Sequence, residues 1–210
     1  MQQTTKNHIK AVLLLSAVAV IGLAIAAPVK AQVPPAATPA GSTIDQRLAQ
    51  RKAERNVVLA EKDSVRLQTT CVSAQTKIRA LQQKNDAATA NRLKIYQQID
   101  AKLWIMIGKL KVAEKDTFGL EKQRATLAEK TSVFQQTSAA YKQALDDAAV
   151  VNCKADPAGF KALVDTSRIY RTQVRDQTKG IFNYITNDVK QSLSTYANDL
   201  QTKPSTEEGR

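Results

Sequence analysis

The chain contains two cysteines, and their positions constrain its fold more than any other feature. Cys71 and Cys153 each lie 41 residues from position 112, which is close to the clearest interruption of a long helical pattern. Packed helices lie about 8 to 10 Å apart, so facing Cα atoms come within the range that a disulfide bond requires. The spacing therefore predicts a helical hairpin whose two arms are joined by a Cys71–Cys153 disulfide bond.

The helical pattern itself is supported by the scarcity of residues that end helices. Residues 44–203 contain a single proline, Pro157, and glycine occurs there only at positions 108, 119, 159 and 180. Apolar residues recur in steps of three and four between residues 71 and 113, and again between residues 120 and 148. Asn85 and Arg92 occupy two of these positions, where polar side chains are expected to cost stability and to fix the helix register.

Local signals divide this region into three predicted helices, at about 44–113, 117–151 and 157–202. Asp116 or Thr117 is expected to cap the second helix, and Asp156 the third, with Pro157 at its first position. The predicted fold class is all-α, a long antiparallel coiled-coil hairpin with a third helix packed back on it. This elongated three-helix bundle of residues 44–202 would carry residues 44–70 as a projecting N-terminal helical stalk.

The alternative is one continuous helix from about 44 to 151, in which the cysteines pair only between two chains. Under either interpretation, residues 203–210 are expected to form a disordered tail because they are polar and begin just before Pro204.

The first 31 residues have the pattern of a secretory signal peptide. Lys6 and Lys10 precede an apolar run of 17 residues, and Val29 and Ala31 are small residues at the positions that a signal peptidase reads. We expect cleavage after Ala31; the alternative is an uncleaved N-terminal membrane anchor, because 17 residues approach the length that spans a bilayer. Residues 32–43 form a Pro/Ala-rich linker. The chain is therefore expected in the periplasm or on the extracellular face of the cytoplasmic membrane, where disulfide bonds persist.

The charge of the exported part predicts attraction to anionic surfaces. The whole chain has a net charge of +12, and loss of residues 1–31 leaves 28 basic and 19 acidic residues, a net charge of +9. Such attraction is long-ranged and unselective. Aromatic residues that stack on bases are sparse, so we expect no specific recognition of nucleic acids.

The residue types argue against catalysis. The single histidine, His8, lies in the predicted signal peptide, so the exported part has no imidazole for acid–base chemistry or metal binding. Ser-x-x-Lys, Gly-x-Ser-x-Gly and Cys-x-x-Cys patterns are absent from the sequence. The neighbouring Asp146 and Asp147 point about 100° apart on a helix and do not converge. We expect no enzyme activity, no cofactor and no metal site.

One segment is more apolar than a solvent-facing helix requires. It covers more than a full helical turn, so its residues cannot all face one neighbour: Leu103, Trp104, Ile105, Met106 and Ile107. In the structural interpretation, helix two covers one side and Val189, Leu193 and Tyr196 of helix three the other. In the functional interpretation, the segment is an exposed patch near the hairpin tip, with Trp104 as the anchor for a partner protein, a second copy or a lipid surface.

These features predict that the chain is a non-enzymatic exported coiled-coil protein of the bacterial cell envelope, with a structural or protein-interaction role. Its partner would be an unidentified envelope protein or a second copy of the chain. One alternative is a holdase chaperone, since a small, basic, exported helical chain distantly resembles the Skp type of periplasmic chaperone in composition and size. The other is an unspecific binder of anionic polymers, namely wall polymer, nucleic acid or a lipid surface.

Overall fold

The computed structural model describes residues 41–201, which form five α-helices and one π-helical segment. The helices are α1 (Ile44–Arg55), α2 (Glu61–Val112), α3 (Phe118–Val150), α4 (Pro157–Tyr184) and α5 (Lys190–Gln201), and the π-helical segment Ile185–Val189 joins α4 to α5. The predicted signal peptide, most of the predicted linker and the predicted tail lie outside the described residues. The all-α fold class is confirmed.

α2 and α3 form the antiparallel hairpin, and the turn at residues 113–117 is called the tip below. Glu114 has φ +54°, and the Lys115 amide donates to the Leu110 carbonyl at 2.9 Å, which ends α2 and reverses the chain. Asp116 Oδ1 accepts a hydrogen bond from the Phe118 amide at 2.9 Å, while Thr117 occupies the N-cap position of α3. The turn therefore lies where the sequence pattern is interrupted.

The hydrophobic core lies along α3, which packs against both α2 and α4. The contact between α2 and α4 is much smaller. The side chains that fill the core are almost wholly shielded from solvent: Leu103, Leu110, Leu120, Leu127, Phe134, Leu145, Leu163 and Ile181. The ring of Tyr96 meets that of Phe134 edge to face, with centroids 5.6 Å apart. Since α3 lies between its neighbours, α2 and α4 leave a groove between them.

The disulfide bond joins Cys71 of α2 to Cys153, just after the end of α3, within one chain. Their Cα atoms are 5.8 Å apart, and Cys153 is fully buried. Asp156 then caps α4 by accepting from the Gly159 amide at 2.9 Å, with Pro157 in the first turn. The disulfide and the start of α4 thus lie at one end of the bundle, called the staple end below.

The expected unbroken helix from 44 to 113 is wrong at residues 56–60, where the chain leaves the helical conformation. Asn56 ends α1 in the left-handed region at φ +45°, which asparagine tolerates better than most residues. The next two residues, Val57 and Val58, are β-branched and have low helix propensity. The interruption lets α1 turn back on the bundle, so residues 44–55 do not form the expected projecting stalk.

α1 packs against α4 and reaches α3 through charged side chains. Arg47 makes a two-pronged ion pair with Asp147, with Nε–Oδ2 and Nη2–Oδ1 distances of 2.8 and 2.6 Å. Leu48 approaches Gly159 so closely that a Cβ there would lie 2.8 Å from Leu48 Cδ1. Lys52 pairs with Asp156 at 3.1 Å. These contacts cover the staple end with a fourth layer of helix.

Candidate functional site

The structure divides the apolar segment at residues 103–107 between the core and the surface. Leu103 and Ile107 are 0 and 2% exposed, and Met106 is half-buried against the core. Trp104 and Ile105 are 59 and 57% exposed. The five residues therefore do not form one patch: two of them fill the core, as the structural interpretation expected, and two face solvent, as the functional interpretation expected.

Trp104 is held in place by charged neighbours rather than by burial. The Arg124 guanidinium lies over its ring, with Cζ 4.7 Å from the ring centroid. Arg124 is itself fixed by Asp100, with Nε–Oδ1 and Nη2–Oδ2 distances of 2.8 and 3.1 Å. A cation over an indole face is a favourable arrangement, and the second pair restricts the arginine. Trp104 is therefore held in one orientation although more than half of it is exposed.

Trp104 lines a groove of about 730 Å³ between α2 and α3, called the tip groove below. All of its lining residues belong to these two helices, so the groove opens on a face of the hairpin that α4 does not contribute to. Its walls are apolar at Ile107 and Leu127 and charged near the turn, where Lys111 pairs with Glu121 at 2.8 Å. Hydrogen bonds from Lys111 and Thr117 lower the pKa of the Glu121 carboxyl.

Further apolar side chains are exposed at the turn itself. Val112 ends α2 and is 88% exposed, and Phe118 begins α3 and is 72% exposed. Ile105 and Val112 are seven residues apart and share one face of α2. The segment from Trp104 to Val112 extends about 12 Å along the helix. Several bulky apolar side chains are thus exposed within a short distance of the tip.

A second groove, of about 890 Å³, lies between α2 and α4, with Tyr141 of α3 among its lining residues. Six of its lining side chains are cationic and none is acidic: Lys84, Arg92, Arg168, Arg171, Arg175 and Lys179. We call this surface the basic groove. Asn85 and Arg92, the polar residues in the apolar pattern of α2, line it, which explains why polar side chains are tolerated at these positions.

Sequence reasoning missed the basic groove, although part of its signal is visible in the sequence. On α4 the four cations occur at spacings of three, four and four residues, which places them on one helix face. The contribution of Lys84 and Arg92 becomes apparent only once α2 lies beside α4. Near the groove, burial raises the pKa values of Tyr96 and Tyr141, and the positive charges of Arg92 and Arg171, respectively, partly oppose this.

The described residues do not assemble a metal site. Among them, no group of three or more histidine, cysteine or acidic side chains is placed to hold a metal ion. Asp147 is engaged by Arg47, and Asp146 by Lys142 and Gln82. Both are therefore part of interhelical contacts.

A search of residues 41–201 for membrane-crossing segments finds no helix that is long and apolar enough. Comparison of the chain with protein-family models, curated proteins and solved structures finds no match.

Proposed function

We propose that this chain is a non-enzymatic protein-interaction module exported to the bacterial cell envelope, and that it binds its partner with the tip of its helical hairpin. The observation that carries the proposal is the exposed, oriented Trp104 beside the tip groove. Export is supported by the signal-peptide pattern of residues 1–31 and by the Cys71–Cys153 disulfide bond, because such bonds persist outside the reducing cytosol.

The chemistry of the tip fits a protein partner. Tryptophan is enriched among residues that dominate the energetics of protein interfaces, because it buries a large apolar area at a low entropic cost. Its orientation by Arg124 lowers that cost further. The Asp100–Arg124 and Lys111–Glu121 pairs give the rim polar groups that stay satisfied when water leaves.

Two isoleucines of α2 provide a matched test. Ile105, close to the tip, and Ile95, farther down the helix, are 57 and 52% exposed, and neither lines the tip groove. A photo-crosslinking amino acid placed at each position in the exported protein should capture the partner from position 105 but not from position 95. Ile105→Asp and Trp104→Asp should abolish the capture of that same partner, whereas Ile95→Asp should preserve it.

Circular dichroism separates loss of binding from loss of fold. All three aspartate variants should retain the helicity and melting temperature of the parent, because each replaced side chain is more than half exposed. Trp104 is the sole tryptophan, so its fluorescence reports directly on whether the identified partner contacts the tip. Equal capture from positions 95 and 105, or unchanged tryptophan emission on binding, would contradict a role for the tip.

Export is tested separately. Fractionation should place the protein outside the cytoplasm, and sequencing of its N-terminus should show whether residues 1–31 are removed. Recovery of the full-length chain in the cytoplasm, with reduced cysteines, would overturn the envelope assignment without bearing on the tip.

A further inference from the structure

We infer that the basic groove between α2 and α4 is a docking site for an acidic amphipathic helix of a partner protein. The inference concerns a different surface from the tip and does not depend on how the tip functions. It rests on the arrangement of cations along the groove, on the absence of an ion pair at four of the six among the described residues, and on the apolar side chains between them.

The cations form two rows that flank the groove. Arg168, Arg171, Arg175 and Lys179 lie along one face of α4 and extend over about 16 Å at 1.5 Å per residue. Lys84 and Arg92 lie on α2, about 12 Å apart by the same measure. Neighbouring cations on α4 are three or four residues apart, which corresponds to about 5–6 Å between their side chains. Acidic residues three or four positions apart on a partner helix have the same spacing. A helix lying in the groove can therefore place carboxylates opposite both rows.

Most of these cations have no carboxylate partner. Arg168 pairs with Asp165 at 3.1 Å and Arg175 with Asp176 at 3.3 Å. Within residues 41–201, Lys84, Arg92, Arg171 and Lys179 make no ion pair, although Arg92 is half-buried. Six cations around one groove repel each other, so an acidic partner relieves repulsion as well as adding attraction.

The groove also contains apolar surface that a purely ionic ligand does not need. Tyr141 and Val174 are buried at the groove, while Leu81 is 39% and Phe182 is 62% exposed. An amphipathic helix covers this surface with its apolar stripe while its acidic flanks meet the cations. A linear polyanion uses the cations alone.

Other occupants fit these observations less well. Phe182 is the only strongly exposed aromatic side chain among the groove residues, so a nucleic acid has no series of rings for base stacking. A flat lipid surface does not reach into a concave groove. A second copy of the chain brings more positive charge, since 28 basic and 19 acidic residues remain after residues 1–31 are removed, a net charge of +9. An acidic helix is the occupant that matches both charge and apolarity.

A designed peptide tests the inference on the full exported, disulfide-bonded protein. The probe is an 18-residue amphipathic helix with a leucine and alanine stripe flanked by glutamates. Its controls are a scrambled peptide of identical composition and a single-stranded oligonucleotide of equal charge. At about physiological salt, the amphipathic peptide should bind at least roughly tenfold more tightly than the scrambled peptide, because only the former covers the apolar surface.

Two double variants that change the net charge of the protein by the same amount show where the peptide binds. The double variant Arg171→Glu/Lys179→Glu should weaken binding of the amphipathic peptide roughly tenfold, because each reversal replaces attraction by repulsion. The control Lys77→Glu/Lys190→Glu changes the same net charge at exposed positions outside the groove and should weaken binding less than about twofold. Phe182→Ser should weaken binding of the peptide but not of the oligonucleotide.

Three results would overturn the inference. One is equal affinity for the amphipathic and scrambled peptides, which would make the groove a general polyanion surface. Another is an equal loss of peptide affinity in the groove variant and in the control variant, which would mean that binding depends only on the net charge of the protein. The third is an absence of binding by the amphipathic peptide at low salt, where electrostatic attraction is strongest.

Discussion

The staple end and the tip are built on the same two helices, α2 and α3, yet they differ in how their polar and apolar groups are used. At the staple end, a disulfide bond, a third helix and α1 cover the hairpin, and its charges are paired across helices. At the tip, charges are also paired across helices, but no further helix covers them and large apolar side chains are exposed. The staple end is therefore cross-linked and covered by further helices, whereas the tip leaves apolar side chains exposed to solvent.

The polar contacts of the staple end satisfy groups that would otherwise be left unpaired. Gln75 Nε2 donates to the carbonyls of Ala148 and Val151 at 3.3 and 2.8 Å, at the C-terminus of α3. The last carbonyls of a helix lack partners within the helix, so this amide acts as a cap supplied by α2. Asp147 is 4% exposed and accepts hydrogen bonds from Arg47 and from Gln143.

The largest expected effect is loss of the disulfide bond. Cys71→Ser/Cys153→Ser removes a disulfide bond between residues that are 82 positions apart in the chain. In the chain-entropy model, a loop of this length lowers the free energy of unfolding by about 4.5 kcal/mol when the bond is lost. Urea unfolding of the variant and the parent measures this difference. A loss under about 1 kcal/mol would mean that interhelical packing alone holds the two arms together at the staple end.

The next effect is expected at the Arg47–Asp147 pair. Arg47→Met leaves the buried Asp147 carboxylate with Gln143 as its remaining side-chain partner and should cost about 3 kcal/mol, because a buried charge loses its counter-ion. Amide hydrogen exchange should show that α1 becomes the least protected helix, and denaturant unfolding gives the energy.

A double variant provides the control for this pair. Arg47→Met/Asp147→Leu should recover most of the loss, since it removes both charges and leaves apolar side chains. If the double variant is as unstable as Arg47→Met, the arginine stem rather than its charge attaches α1 to the bundle.

The smallest effect is expected at the tip, where Lys111 lowers the pKa of Glu121. A lowered carboxyl pKa in the folded state means that the pair contributes stability above the ordinary pKa of 4.5 and loses it as the pH falls through the folded value. Titration followed by NMR should find the Glu121 pKa below 4.5, and Lys111→Gln should move it back towards 4.5. An unchanged Glu121 pKa in the variant would remove Lys111 as the cause.

Much of the hairpin follows from local signals that act within a few residues. The helix-breaking turn near Asp116 and the Asp156-Pro157 start of α4 are both readable because capping depends on neighbouring residues. The break at Asn56 has local signals too, since asparagine tolerates the left-handed conformation and two valines of low helix propensity follow it, but the helical pattern around residues 44–113 outweighs them in the sequence. Thr43 and Gln46, whose side chains make a capping box, mark the start of that short helix in the sequence.

The candidate surfaces were only partly predictable. The helical period of 100° per residue implies that residues 103–107 cannot share one face, but it does not identify which of them face solvent. The structure places Leu103 and Ile107 towards the core and Trp104 towards Arg124, a residue of the other arm. The basic groove was hidden for the same reason, since its two rows of cations come from helices about 80 residues apart in the chain.

The sequence by itself determined the helical class, the hairpin turn and the start of α4, because periodicity and caps act along the chain. It left open whether the two cysteines pair within one chain, as the structure has them. The tertiary structure decided the return of α1, the division of residues 103–107 and the alignment of cations between α2 and α4. These features depend on which helix faces meet, because the burial of apolar area is decided over the whole bundle rather than within any one segment.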